Sequence, residues 1–285
     1  PAADETEFTY DGSDKTYNIP DNDAYVVINN VQTYAGKYIV SVSLKDDVHY
    51  IWNDGKNDTK MYDFVIAKIL VPVPVPEHTS FIFDGSVKTF AIPQDEQGRY
   101  TIGEENATGT LVGTYDRTVT LSDEINYAWA DGVADVARTI TFTITTGSVE
   151  KPIAETEHTY TGQPITLVPE NDAYTVTDGV QTDAGEYDVV LTPNEGYTWV
   201  GGSTTPETIH VVIKPAQVTK PEVTVTEFTY DGTEFDFNIV ENSGYTIEGL
   251  TKGTEPNEYT VKVTPKSNYV WSDGSGADAE IYKFY

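Results

Sequence analysis

Phe8-Thr9-Tyr10-Asp11-Gly12, followed some forty residues later by Tyr50-Ile51-Trp52-Asn53-Asp54-Gly55, decides the fold of this chain. Both stretches occur four times in varied form, and the aromatic residue of the first stands at positions 10, 83, 160 and 230. Recurrence at intervals of 73, 77 and 70 residues is typical of tandem repeats that each form one structural unit. The pattern predicts four repeats, at residues 1–71, 72–147, 148–215 and 216–285.

Alternation of apolar and polar residues predicts β-strands throughout. Tyr38, Val40, Val42 and Leu44 take every second position, and similar runs follow Tyr115, Tyr187 and Tyr259. Such alternation is typical of strands with one buried face. With six or seven short strands in each repeat, we expect an all-β fold of four tandem immunoglobulin-like β-sandwich modules in an extended array.

Composition limits the classes of partner. The 285 residues include 46 acidic and 17 basic side chains, so the net charge is −29, and each predicted repeat carries between −6 and −9. An even negative charge argues against binding nucleic-acid phosphates and anionic membranes. The absence of Cys excludes disulfides and thiol chemistry. No apolar run is long enough to insert into a membrane.

Proline-rich segments lie where the repeats meet. Residues 70–76 contain alternate prolines, and residues 214–221 contain Pro215 and Pro221. Proline lacks the backbone N–H that a central strand needs. We expect these segments to be extended, semi-rigid spacers, and residues 146–152 to be the softest connection.

The four tryptophans hold equivalent places in the repeats. Because every repeat needs one, we expect Trp52, Trp129, Trp199 and Trp271 to be core residues rather than a sugar-binding platform. The alternative of carbohydrate binding predicts instead that aromatics particular to one repeat, such as Tyr34 and Tyr62, are exposed together.

Acidic turns of the first repeat are candidates for a structural calcium site. The candidate ligands are the carboxylates of Asp21, Asp23, Asp46, Asp47, Asp54 and Asp58. Carboxylate oxygens suit Ca²⁺, but none of these turns matches the spaced calcium loop that ends in a bidentate Glu. Asp is also common in turns, where its side chain hydrogen-bonds to the local backbone. No other cofactor is predicted, and we find no nucleophile or nucleotide-binding motif.

With these motifs in place, the chain resembles the tandem immunoglobulin-like repeats of bacterial cell-surface proteins. The motifs Phe-Thr-Tyr-Asp-Gly (8–12), Ala-Gly-Lys-Tyr (35–38) and Tyr-Ile-Trp-Asn-Asp-Gly (50–55) look closest to the Tyr-Asp-Gly, MBG-like type of Gram-positive adhesins. The third repeat departs most, with Thr161-Gly162 and Gly201-Gly202 in place of the Asp-Gly turns.

The resemblance implies a non-enzymatic segment of a longer protein at the cell surface or in the cell wall. Its role would be that of an acidic, secreted stalk or adhesin that spaces or presents a binding region. The partners would be neighbouring modules of the same chain and an unidentified surface receptor or glycan. Two alternatives stay open: an array of carbohydrate-binding modules, and a subunit of a surface filament.

Overall fold

A computed structural model describes residues 6–285, and it is all-β, as the alternation predicted. Among these residues there is no helix, and therefore none able to cross a membrane. The chain divides into two compact units, the first ending at Thr146 and the second spanning Gly147–Tyr285. The described residues form four hydrophobic cores, two in each unit. The limits of the four predicted repeats stay a prediction.

Core 1 lies between a four-stranded and a two-stranded sheet. The larger sheet has the order β1-β6-β5-β3, and β2 pairs with β4. Val40, Val42 and Phe64 are completely buried between them, on alternate positions of the central strands. The strands are β1 (Glu7–Thr9), β2 (Lys15–Thr16), β3 (Tyr25–Ile28), β4 (Val31–Gln32), β5 (Gly36–Leu44) and β6 (Lys60–Ala67).

Core 2 repeats this plan with an additional strand pair. The four-stranded sheet has the order β10-β12-β14-β8, β9 pairs with β11, and β7 pairs in parallel with β13. The strands are β7 (Ile69–Val71), β8 (Ser80–Ile82), β9 (Lys88–Thr89), β10 (Tyr100–Ile102), β11 (Thr108–Gly109), β12 (Gly113–Leu121), β13 (Tyr127–Trp129) and β14 (Ala137–Thr145).

Core 3, in the second unit, has the same arrangement as core 2. Its sheets are β16-β22-β20-β18, β17-β19 and the parallel pair β15-β21. The strands are β15 (Gly147–Val149), β16 (Glu157–Thr159), β17 (Ile165–Thr166), β18 (Tyr174–Thr177), β19 (Val180–Gln181), β20 (Gly185–Pro193), β21 (Tyr197–Trp199) and β22 (Glu207–Lys214).

Core 4 has three strands in its main sheet, ordered β25-β27-β29, with β24-β26 and the parallel pair β23-β28 beside it. Phe228, at the place of β1, is held by a hydrogen bond from its N–H to the carbonyl of Tyr285. The strands are β23 (Ala216–Val218), β24 (Phe235–Asp236), β25 (Tyr245–Gly249), β26 (Lys252–Gly253), β27 (Tyr259–Pro265), β28 (Tyr269–Trp271) and β29 (Glu280–Phe284).

The prediction that residues 70–76 and 214–221 are spacers is wrong in part. Each segment contributes to an edge strand of the following core, β7 or β23. Val71 is fully buried in core 2, and Val218 is 5% exposed in core 4. Within each unit, a single residue separates the closing strand of one core from this edge strand: Lys68 in the first unit and Pro215 in the second. The prolines lie outside these strands, Pro72 directly after β7 and Pro215 directly before β23, and β7 and β23 each have one neighbour only.

The turn after each first aromatic is fixed by glycine and a side-chain cap. Gly12 has φ +83°, a left-handed conformation in which any Cβ is strained. The Asp11 carboxylate accepts hydrogen bonds from the N–H and hydroxyl of Ser13, and Lys15 pairs with it. Asp84 repeats this arrangement with Ser86 and Lys88. Tyr-Asp-Gly is therefore a structural turn, as the sequence suggested.

Candidate functional site

The repeated aromatics form two different kinds of contact, one inside each core and one between consecutive cores. Inside core 4, the rings of Tyr245 and Trp271 lie 5.8 Å apart. Equivalent pairs are Tyr25–Trp52, Tyr100–Trp129 and Tyr174–Trp199, at 5.9, 5.9 and 5.5 Å. Every indole N–H donates to a backbone carbonyl six or seven residues on. The prediction of a core role is confirmed for Trp129, Trp199 and Trp271, each at most 1% exposed.

Between cores 1 and 2, an aromatic pair joins the first turn of core 1 to β13 of core 2. We call β13 and its equivalents β21 and β28, which begin with Tyr and end with Trp, the Tyr-x-Trp strands. The rings of Tyr10 and Tyr127 meet edge-on at 6.2 Å. Burial, and then the neighbouring Tyr127 and Asp123, raise the pKa of the Tyr10 hydroxyl. Between cores 3 and 4, Tyr160 and Tyr269 meet in the same way at 5.5 Å.

An asparagine next to each of these strand tyrosines closes the same junction. Asn126, which is 1% exposed, accepts a hydrogen bond from the N–H of Ala35 at 2.8 Å, and its amide donates to Asp123 at 2.7 Å. That hydrogen bond is the main cause of a lowered pKa at Asp123. The N–H of Ala35 and the side-chain amide of Asn126 thus have hydrogen-bond partners although they are buried at the junction.

The second unit repeats this clamp with one change. Asn268 accepts from the N–H of Ala184 at 2.9 Å, and its amide donates to Asp183 at 2.7 Å. The carboxylate therefore comes from the preceding core in this unit and from the following core in the first unit. We call the tyrosine pair and the asparagine together the junction clamp: Tyr10, Ala35, Asn126 and Tyr127 in the first unit, and Tyr160, Ala184, Asn268 and Tyr269 in the second.

An open cleft of about 640 Å³ lies beside Trp52. Tyr25, Tyr50 and Tyr62 line it together with the indole, and Ile51 at its edge is 63% exposed. Trp52 is only half-buried, unlike its three equivalents, so the prediction of a core residue holds here in part. The expected partner Tyr34 is 59% exposed, but it is not among the residues that line the cleft. The structure thus brings Tyr62, and not Tyr34, to Trp52.

A second cavity, of about 280 Å³, is open on core 4. It is lined mainly by aromatic rings, including those of Phe228, Tyr230 and Phe237. Tyr230 holds the place of Tyr10 and Tyr160 and is 56% exposed. Pro256 holds the place of Ala35 and has no N–H to offer an asparagine, so this end of core 4 lacks one half of the junction clamp.

The six calcium candidates do not converge. Lys60 binds both Asp54, at 2.9 Å, and Asp58, at 3.3 Å, and the Lys60 hydrogen bond is the main cause of a lowered pKa at Asp54. Asp46 instead accepts from His49, the main cause of its own lowered pKa. The remaining candidates Asp21, Asp23 and Asp47 are exposed.

Within residues 6–285, no group of three or more His, Cys, Asp or Glu side chains is arranged around a common point for a metal ion. Ca²⁺ takes six to eight oxygen ligands, which the pairs at Lys60 and His49 do not provide. Calcium binding stays a prediction, for which a change of melting temperature with added chelator is the test.

The long middle of the second repeat is organised around a buried arginine that the sequence analysis missed. Arg117 replaces a core valine, being equivalent to Val40, and is 8% exposed. Its guanidinium donates to the carbonyls of Phe90 at 2.7 Å, Gly103 at 2.6 Å and Glu105 at 3.3 Å. The break in the alternation between Tyr115 and Val119 was the available sign of this residue.

Comparisons with known proteins give distant likenesses. No family model and no curated protein matches the chain. A solved structure of Sidekick-1 immunoglobulin domains 1-5 is similar over 99% of this chain and 79% of its own, with a TM-score of 0.23 and 11% identity. The protocadherin GammaB4 extracellular domain is similar over 100% of this chain and 66% of its own, with a TM-score of 0.18 and 10% identity. The chain spans just under two thirds of the latter, and likeness at this level carries no argument about activity, partner or location.

Proposed function

We propose that the chain is a non-catalytic, extracellular segment of a surface protein, in which tandem β-sandwich repeats hold a binding region away from the cell. The observation that supports it is the junction clamp, which occurs in both units with equivalent residues. A repeated contact between consecutive cores is what a stalk needs, because stiffness depends on every junction.

The connection between cores adds to this stiffness. One residue joins β6 to β7, and one joins β22 to β23, so the chain has little freedom between consecutive cores of a unit. In the first unit, Lys68 also donates to the carbonyl of Glu124 at 2.5 Å. Flexible linkers, by contrast, behave as random coils that let domains move independently.

Small-angle scattering of the purified chain tests the proposal. The proposal expects an elongated particle whose maximum dimension falls little when salt is raised, because the stiffness comes from packing and short connections rather than charge repulsion alone. A compact particle would contradict it. In a parallel assay, beads coated with the chain would be tested for adherence to host-type surfaces, which separates a spacer from an adhesive segment.

The carbohydrate-binding alternative is favoured by one observation, the partly exposed aromatic rings that line the Trp52 cleft. Indole and phenol rings are suitable for stacking on sugar faces, and Asn53 and Asp54 at the rim offer polar groups. A glycan array with the chain and with Trp52→Ala tests it. Binding that disappears with Trp52→Ala supports a lectin role, and absence of binding removes it.

A further inference from the structure

Three of the four cores contain an edge strand that runs parallel to the Tyr-x-Trp strand. The pairs are β7 with β13, β15 with β21, and β23 with β28. In each, the third residue of the edge strand is a valine opposite the tryptophan: Val71, Val149 and Val218. This strand is therefore a regular part of the module and shields the indole from water.

In core 1, no strand of the described residues lies beside the equivalent segment, Tyr50 to Trp52. These residues are outside the strands, whereas the equivalent residues of the other three cores form β13, β21 and β28. Trp52 keeps its contact with Tyr25 and its indole hydrogen bond, but both rings are half-buried, whereas Tyr245 and Trp271 are 5% and 1% exposed. The Trp52 cleft thus occupies the place of the missing neighbour.

The cleft offers the same backbone groups that bind the edge strand elsewhere. In core 2, the N–H of Ile69 donates to the carbonyl of Asn126, and the N–H of Ala130 donates to the carbonyl of Val71. The pattern recurs in cores 3 and 4 with distances of 2.9 to 3.0 Å. The equivalent groups of core 1, the His49 carbonyl and the Asn53 N–H, have no backbone partner among residues 6–285.

The shape of the cleft also fits the valine. In core 4, Val218 packs directly on Gly244, so closely that a Cβ at Gly244 would stand only 3.0 Å from a Cγ of Val218, tighter than ordinary contact. Core 3 combines the equivalent valine, Val149, with an alanine, Ala173, at the place of Gly244. Gly244 is equivalent to Ala24, and Ala24 lines the Trp52 cleft. A valine in the same place would therefore contact Ala24 and Trp52, burying apolar surface on both.

We propose that the Trp52 cleft binds an extended apolar strand, added parallel to residues 50–52 with a β-branched residue against Trp52. The occupant is an edge strand of this repeat type, equivalent to β7, β15 and β23, from outside residues 1–285. Within residues 6–285, the edge strands β7, β15 and β23 are already engaged, each in its own core, so a second copy would have to open a core to donate one of them. Strand addition of this kind gains main-chain hydrogen bonds for affinity and side-chain fit for specificity.

Spacing defines how such a strand reaches the cleft. The valine precedes the turn aromatic by twelve residues in repeats 2 and 4 and by eleven in repeat 3. Joining a copy of the hexapeptide Lys68–Val73 directly in front of Pro1 places the copy of Val71 twelve positions before Tyr10. Because spacings of eleven and twelve residues both place the valine opposite the tryptophan, the matched control keeps the spacing and replaces the added copy of Val71 by Asp.

The test uses indole NMR signals of the full chain, with that of Trp52 assigned by Trp52→Phe. With this fusion, we expect the indole NMR signal of Trp52 to shift, while the signals of the other three indoles stay unchanged. The quenching of tryptophan fluorescence by acrylamide should also fall. A fusion in which only the added copy of Val71 is replaced by Asp, with the native Val71 kept, should leave the Trp52 signal as in the unfused chain. Added in trans, a peptide of residues 68–76 should shift the same signal, and its Val71→Asp form should bind at least about tenfold more weakly.

Three results would overturn the proposal. An unchanged Trp52 signal with both the fusion and the peptide would show that the cleft takes no strand. Concentration-dependent dimers of the unfused chain, with Trp52 protected, would assign the cleft to a second copy. Glycan binding at Trp52 that the fused strand does not displace would assign it to carbohydrate.

Discussion

The ring of Tyr160 meets the ring of Tyr269 edge-on, with the centroids 5.5 Å apart, and so joins the turn of one core to the Tyr-x-Trp strand of the next. Tyr10 and Tyr127 form the same pair in the first unit. Each tyrosine belongs to a motif that recurs in every repeat or nearly so. The motifs therefore build the modules and also connect them, which is the basis of the proposed stalk.

The tyrosine pair gives the first prediction. In a double-mutant cycle with Tyr160→Ala and Tyr269→Ala, we expect a coupling free energy of about 1 kcal/mol, because edge-to-face pairs contribute roughly that much beyond their buried area. Denaturant unfolding of the full chain measures it. Tyr230→Ala is the matched control: this residue holds the same place on core 4 but is 56% exposed, so its cost should be small. Equal costs at Tyr160 and Tyr230 would contradict the junction.

The buried asparagine gives the second prediction. Asn126→Ala removes the acceptor for the N–H of Ala35 and the donor to Asp123, so we expect a loss of about 1–3 kcal/mol in the free energy of unfolding. Asn126→Asp should cost more, because it places a second carboxylate against Asp123. His49→Ala, at the same place on core 1 and exposed, is the control and should have little effect. Thermal melts of the three variants decide the point.

The third prediction concerns acid stability. Asp95, whose side chain is 6% exposed, binds the Arg99 guanidinium at 2.7 Å, and this contact lowers the pKa of Asp95 from 3.8. A lowered folded-state pKa gives stability that is present above the unfolded value and is lost as pH falls through the folded one. Asp95→Asn should therefore cost about 2 kcal/mol at pH 7, and the difference from the native chain should shrink below about pH 4.

Unfolding measured across this pH range, with Glu157→Gln as control, checks the Asp95 prediction. Glu157 pairs with Lys214 at 2.7 Å, but both side chains are more than half exposed. Such surface pairs contribute little, so Glu157→Gln should change stability by less than about 0.5 kcal/mol at any pH. A pH-independent cost of Asp95→Asn would show that packing, and not the ion pair, is lost.

The fourth prediction concerns Arg117. Arg117→Met fills a similar volume but leaves the carbonyls of Phe90 and Gly103 without their donor, so we expect a loss of about 2–4 kcal/mol. Amide hydrogen exchange should then speed up in residues 103–114, which the guanidinium holds. The opposite substitution, Val40→Arg in core 1, buries a charge where no such set of carbonyls accepts hydrogen bonds from it, and it should destabilise the chain more. A stable Arg117→Met with unchanged exchange would contradict this account.

Much of the fold followed from local patterns. The alternation around Val40 and Val42 and the recurrence of Trp129, Trp199 and Trp271 were sufficient to predict strands and core residues. The edge strands were missed because Val71 pairs with Trp129, 58 residues away, and local sequence shows prolines beside it rather than that partner. A residue next to prolines is compatible with both a spacer and an edge strand.

The candidate site was harder to predict. Tyr10 looked like part of a turn, and nothing near it in sequence shows that its ring faces Tyr127. One sign was present: Asn126 and Asn268 precede the strand tyrosine in the second and fourth repeats, where the other two repeats have His49 and Gly196. The Trp52 cleft was not predictable from motifs, since the aromatic pair of core 1 has the same residues as the others and differs only in its neighbour.

The most direct test of the stalk is a distance distribution between cores 1 and 2. Because the chain has no Cys, Met61→Cys and Val87→Cys, both at exposed positions, introduce a unique pair of spin labels. Pulsed electron–electron double resonance should give one narrow distance distribution, which broadens when Asn126→Ala is combined with Tyr10→Ala. A distribution that is already broad in the native chain, or unchanged in the double variant, would contradict a junction held by these residues.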